Sequence, residues 1–201
     1  MRITAAIFLM GLAATTAQPA GAQQPESETA SAVFAGGCFW CMEPPFDKLD
    51  GVHSTISGYI GGSAEDATYQ RTSSGRTGHY EAVRIEYDPA KIDYATLLQV
   101  FWRNVDPFDR NGQFCDKGPQ YRAAIFALTD EQLKLAEESK ATVVAEKSGQ
   151  GKIQTEVLPA AEFYPAEDYH QDYYMKNPVR YKFYRWNCGR DKRLESVWGG
   201  S

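Results

Sequence analysis

The sequence predicts one compact domain that mixes strands and helices, of the α/β or α+β class, and three observations predict it. Segments with strand patterning alternate with segments of helical patterning, and no internal repeat interrupts the series. Aromatic residues make up 13% of the chain, including 12 tyrosines, too many for a disordered protein and enough to furnish a core. Four cysteines, Cys38, Cys41, Cys115 and Cys188, are too few among 201 residues for a disulfide-built scaffold. Stability is therefore expected from the core, and the thiols are left for chemistry.

The N-terminus stands apart from that domain. Met1-Arg2 gives a minimal positive start, Ile3 to Ala14 is an apolar run too short to span a bilayer comfortably, and Ala20-Gly21-Ala22 fits a small-residue cleavage site. The expected organisation is a signal peptide over 1–22, a polar linker over 23–30 and one domain over 31–201. Such a leader sends the chain to the periplasm or outside the cell, an oxidising place, with no membrane association after cleavage. The formal net charge is −5, with no basic run, which argues against nucleic acid as the main partner.

The elements follow in order. Ser31 to Gly37 reads as a short buried strand running into two glycines, so Cys38 falls at a strand-to-helix junction. The prolines Pro44 and Pro45 fit only near the start of the short helix that follows. "HSTISGYIGG" is a strand ending in a glycine turn, and "SAEDATYQRTSSGRTGH" a loop-rich connection. "YEAVRIEYD" is a strand with Val83, Ile85 and Tyr87 on one face. In "DYATLLQVFWRNV" Asp93 is a plausible N-cap, and Leu97, Leu98, Phe101 and Trp102 form a helical core stripe. "DPFDRNGQFCDKGPQ" is a long turn-rich loop of the kind that often carries function. "YRAAIFAL" is a strand, and the segment from Thr129 to Gly149 the clearest helix. "KIQTEVLPA" reads as the last clear strand and "AEDYHQDYYMKNP" as a helix, ahead of a C-terminal stretch that holds Cys188 beside Gly189.

The chemistry centres on "AGGCFWCMEPP". A zinc site wants a second close pair of ligands, and Cys115, Cys188, His53, His79 and His170 have no such spacing. Haem attachment fails because Met42 follows Cys41. A purely structural disulfide closes too small a loop to constrain the unfolded chain much. Two readings stay open on the residues alone: a thioredoxin-like dithiol whose first thiol is activated by helix amides, and a single nucleophile, Cys38, beside an apolar wall of Phe39 and Trp40. Beyond these, a secreted binding module with structural cysteines is the alternative outside enzymology.

"GCFWCME" closely resembles the nucleophile motif of the type A peptide methionine sulfoxide reductases. The similarity continues through "GYIGG", "TGHYE", "FWRNVDP", "CDKGPQYRAAIF" and "FYPAEDYHQDY", six motifs in the family's order across nearly all of the chain after the leader. The resemblance implies the α+β alternative: a single domain with a mixed sheet flanked by helices in a ferredoxin-like two-layer arrangement, and an irregular C-terminal tail. It implies Cys38 as nucleophile, Glu81 as the acid at the sulfoxide oxygen, Tyr69 and Tyr121 as hydroxyl donors, Asp116 as a polar residue of the pocket loop, and Phe39 and Trp40 as the recess for the S-methyl group. His79 and His170 are read as structural hydrogen-bonders.

Recycling thiols of that family lie in a mobile tail, so Cys188 is expected to resolve the oxidised Cys38, with Cys41 as second choice. Cys115 stands beside Asp116, and Tyr80 occupies a position that is usually small, where it would alter a pocket wall. The implied substrate is methionine sulfoxide, free or in proteins, preferentially the S epimer, and the implied reductant is a thioredoxin-like protein. No metal, flavin, nucleotide or other cofactor is required by this chemistry, and nothing suggests more than a monomer.

Overall fold

The structure, a computed structural model, describes residues 29–199. The expected signal peptide over 1–22 and all but the end of the linker lie outside the described residues. Chain order runs β1 (Ala30–Gly36), a 3-10 turn at Phe39–Cys41, α1 (Glu43–Asp47), β2 (Val52–Ile60), α2 (Tyr69–Thr72), β3 (Tyr80–Tyr87), α3 (Tyr94–Arg103), β4 (Gly112–Gln113), β5 (Asp116–Lys117), β6 (Ala123–Ala127), α4 (Asp130–Glu146), β7 (Glu156–Pro159), β8 (Phe163–Pro165), α5 (Tyr173–Lys176), α6 (Pro178–Asn187) and α7 (Arg190–Trp198).

Six strands form one mixed sheet in the order β7-β6-β1-β3-β2-β8, in which only β6 and β7 run parallel. The inner four strands, with α1 between β1 and β2 and α3 between β3 and β6, make the split β-α-β of a ferredoxin-like layer. The expected architecture is therefore present, widened by one strand at each edge. β1 is apolar on both faces because both are covered. Phe34 stacks on Phe46, Tyr94 and Phe101 at centroid distances of 5.6, 5.9 and 5.0 Å, beneath Leu97, Leu98 and Trp102 of α3. Val33 and Ala35 enter a smaller cluster on the other face with Ile60, Ala82 and Phe126. Helix starts follow their caps: Asp93 accepts from the Thr96 N–H at 2.7 Å and Thr129 from that of Gln132 at 3.1 Å. No helix among the described residues is long and apolar enough to cross a membrane.

Two stretches differ from the expectation. "AEDYHQDYYMKNP" is mostly turns ending in the one-turn α5, because its polar side chains are spent on β2. Gln171 Oε1 accepts from the Ser57 N–H at 2.9 Å, its amide donates to the carbonyls of Ser57 and Ala166, and Asp172 takes a left-handed φ of 52°. The C-terminal segment is two helices, not an irregular tail. α6 and α7 meet at Gly189, whose φ of 66° suits glycine, and they bury Tyr181, Arg190, Val197 and Trp198. The Trp198 indole donates to the Val105 carbonyl at 2.9 Å and fastens the last turn to the core.

Candidate active site

β1 delivers the chain to the site through Gly36-Gly37, where side chains have no room. A Cβ on Gly36 would stand 2.5 Å from Met42 Sδ, and one on Gly37, whose φ is +86°, 2.7 Å from Gln113 Cβ. The backbone then tightens into the 3-10 turn, with the Cys41 N–H donating to the Cys38 carbonyl at 3.0 Å. That turn brings the two buried thiols close enough for each to shift the other's ionisation. Burial first, then the interaction with Cys41 and the nearby carboxyls of Glu81 and Asp116, push the Cys38 thiol well above its ordinary range. The same interaction draws Cys41 down to about 6, against its burial, with Arg190 and Arg185 facing it. Burial thus disfavours a thiolate at Cys38, and the two arginines favour one at Cys41.

Glu81 comes from β3, opposite Tyr59 of β2, and is only 2% exposed. Its Oε2 accepts from the Phe39 N–H at 3.2 Å. Burial raises its pKa to about 8 despite that bond, with Asp116 and Cys41 adding to the rise, so it holds its proton at neutral pH. Tyr69 at the start of α2 and Tyr121 after β5 both ionise above their usual range, through burial and the nearness of Glu81 and Cys38, and remain O–H donors. Asp116, also raised by burial, accepts from the Tyr184 hydroxyl.

The aromatic side of the site is braced from β8 onward. Trp40 lies flat on Tyr173, 3.7 Å between centroids and 7° between planes, and its indole N–H donates to His170 Nδ1 at 3.1 Å. His170 in turn packs on Phe39 at 4.9 Å and on Tyr69 at 4.6 Å, and burial keeps its ring neutral. Glu167 ties the parts together, accepting from the Tyr59 hydroxyl and the Tyr69 N–H at 2.9 Å each. His79, bonded to the Gly62 N–H and the Ser63 carbonyl, holds the glycine turn after β2.

Cys38, Glu81, Tyr69, Tyr121, Asp116, Phe39 and Trp40 therefore meet in one place. Cys188 does not join them as a thiol: it is bonded to Cys115, with Cα atoms 5.0 Å apart, and the two sulfurs lie 3.7 and 3.9 Å from the Asp116 carboxylate. The thiol beside Cys38 is Cys41. Cys115, Asp116 and Cys188 are also the one convergent group of ligand-type side chains among the described residues, with both sulfurs committed to the disulfide. Tyr80 sits away from the pocket, in the smaller cluster against Phe126, with its hydroxyl donating to Glu156 at 2.8 Å. Glu167 and Tyr173 lie within the "FYPAEDYHQDY" stretch without a role that the sequence announces, and nothing in the sequence singles out Tyr184 or Arg190. The positions of these last two depend on α6 and α7 folding back, and no local spacing signals that.

A nucleophilic sulfur, a protonated carboxyl, two phenols and an aromatic recess are what reduction of a sulfoxide asks for. Comparison with known proteins agrees. The family model described as peptide methionine sulfoxide reductase matches residues 30–201. The peptide methionine sulfoxide reductase MsrA 2 of Caulobacter vibrioides is 49% identical over all of both chains. Among solved structures, methionine sulfoxide reductase A of Corynebacterium diphtheriae is 34% identical with a TM-score of 0.71, covering 77% of this chain and 78% of that one. Reduced Mxr1 of Saccharomyces cerevisiae is 33% identical with a TM-score of 0.70, covering 77% and 88%. With a match that runs the length of the described fold and relatives this similar, the chain belongs to the peptide methionine sulfoxide reductase family.

Proposed function

We propose that this enzyme reduces the S epimer of methionine sulfoxide, free or in exported proteins, through a Cys38 sulfenic acid that Cys41 resolves. The observation that carries the reading is the buried, protonated Glu81 hydrogen-bonded at the base of the Cys38 turn. The sulfoxide methyl enters the recess of Phe39 and Trp40, and its oxygen faces Glu81, Tyr69 and Tyr121. Cys38 passes its thiol proton to the Cys41 thiolate and attacks. Glu81 gives its proton to the oxygen, which moves to Cys38 as S–O–H while the substrate departs as the sulfide, methionine. Cys38 is oxidised by two electrons and the sulfoxide reduced by two.

The sulfenic acid then condenses with Cys41, forming the S–S bond and releasing water. Cys41 takes the resolving role here, in place of the expected Cys188, because it is buried in the same turn as Cys38, whereas Cys188 is joined to Cys115. A thioredoxin-like dithiol protein returns the enzyme to its reduced form; Mxr1 has been solved in complex with Trx2. The leader-like N-terminus supports action in the periplasm or outside the cell. No bound cofactor takes part in this scheme.

The test is a single turnover. The reduced protein, freed of reductant, is given each epimer of a methionine sulfoxide peptide, and methionine and disulfides are counted by mass spectrometry. Methionine from the S epimer alone with a Cys38–Cys41 bridge supports the scheme. Methionine with a Cys38–Cys188 bridge keeps the reaction and restores the other thiol. A folded protein that makes none, yet exchanges disulfides, is a thioredoxin-like oxidoreductase.

A further inference from the structure

Arg190 heads the largest fully buried side chains, 1% exposed at the start of α7. A buried guanidinium is costly unless hydrogen bonds and a negative group answer it. Among the described residues no carboxylate lies within ion-pair distance of it. Its Nη2 donates to the carbonyls of Gly36 and Asn104 at 3.2 and 2.7 Å and touches Met42 Sδ at 3.1 Å, its plane covers Phe114 at 4.4 Å, and its Nε has no partner. Gly36 and Met42 bracket the Cys38–Cys41 turn, so the cation lies against the backbone of that turn, with Cys41 in reach of its charge.

The other groups that face this pair are accounted for. Arg185 from α6 is neutralised by Asp191, with Nε 2.9 Å from Oδ1. Asp116 from β5 is held by Tyr184 and shifted towards its neutral form, Glu81 from β3 is protonated, and Tyr181 and Tyr184 from α6 stay phenolic. Arg190 also draws Asp116 down against its burial, so its charge faces both the Asp116 carboxyl and Cys41.

We propose that Arg190 is the fixed counter-charge of the Cys38–Cys41 pair, a positioning residue that keeps one thiolate available there and makes Cys41 competent to close the disulfide. This deepens the reading of the two cysteines given above and rests on it. After oxygen transfer Cys41 carries the proton it took from Cys38, and Glu81 is a carboxylate. Cys41 passes that proton to Glu81 and, as a thiolate beside Arg190, attacks the sulfur of Cys38–S–O–H. The S–S bond forms, the S–O bond breaks, and the departing hydroxide takes the proton from Glu81 and leaves as water. Cys41 is oxidised and the sulfenic sulfur reduced, with no outside reagent.

The experiment compares the wild-type chain with Arg190→Gln and Arg190→Lys, keeping the Cys115–Cys188 disulfide oxidised so that only Cys38 and Cys41 titrate as thiols. Thiolate absorbance is followed against pH below the tyrosine range, and dimedone captures any sulfenic acid after one addition of sulfoxide. In Arg190→Gln the titration is expected to move up by about one pH unit or more, with disulfide closure roughly tenfold slower near neutrality, recovering at higher pH. Dimedone then labels Cys38, while Arg190→Lys titrates and closes as the wild type does. A folded Arg190→Gln chain that titrates unchanged overturns the proposal. So does a folded Arg190→Lys chain whose titration rises by about one pH unit or more above the wild type, a comparison that also decides the matter if Arg190→Gln does not fold. Should the wild type form no methionine, the reductase scheme fails while the titration comparison still reads the charge pairing.

Discussion

Glu81 is one atom group asked to do two opposed things. In the proposed scheme its carboxyl must stay protonated to serve the sulfoxide oxygen, and burial with a single backbone donor favours that state. Glu81→Gln keeps the shape and the bond from Phe39 N–H but has no acidic proton. It is expected to lower sulfoxide reduction by ~10²–10⁴, the usual worth of a general acid, while leaving thiol exchange with a small disulfide intact. An unchanged turnover rate would remove the acid role. Because the wild-type group titrates at about 8, the rate is also expected to fall above that pH, and stopped-flow single turnovers read this directly. At this scale the site was partly legible. Gly36-Gly37 before Cys38 and the aromatic pair after it are local signals of a reactive turn, whereas Arg190 is a surface-type residue by composition and buried only by the path of α7.

Elements were readable where their stabilisation is local. α3 and α4 carry their own caps and α3 its own apolar stripe, so both fall where periodicity puts them. α6 and α7 carry few apolar residues at helical spacing. They are helical because they dock, through Tyr181, Trp198 and the disulfide at their junction, and docking is invisible in a window of sequence. The Cys115–Cys188 link spans 73 residues and joins the pocket loop to this docked pair. In the double variant Cys115→Ser/Cys188→Ser, the chain-entropy account expects a loss of up to about 4 kcal/mol, measured by urea unfolding. The same variant should still form one equivalent of methionine with a Cys38–Cys41 bridge. If methionine forms but no intramolecular bridge does, resolution runs through the C-terminal cysteines after all.

The whole molecule carries a titration signature set by its buried carboxyls. Glu81 and Glu43 are raised to about 8 and about 7, each chiefly by burial, from ordinary values of 4.5. Glu43, bonded to Ser57 and the Asp172 N–H, has its second oxygen buried and unpartnered, which explains its reluctance to ionise. A group whose pKa is higher in the folded chain than in the unfolded one holds its proton longer when folded. The stability it contributes is complete below 4.5 and is lost as pH rises through the folded value. Stability from these two groups should therefore decline between pH 4.5 and 8, opposite to the trend of salt-bridged carboxylates. Replacing Glu81 by Gln should flatten that decline by roughly 1.4 kcal/mol for each pH unit in the window, so the variant overtakes the wild type in alkaline buffer. Denaturant midpoints at a series of pH values decide it: parallel curves for the two chains would mean that Glu81 ionises as freely folded as unfolded. The protonated acid on which the chemistry depends would then not exist.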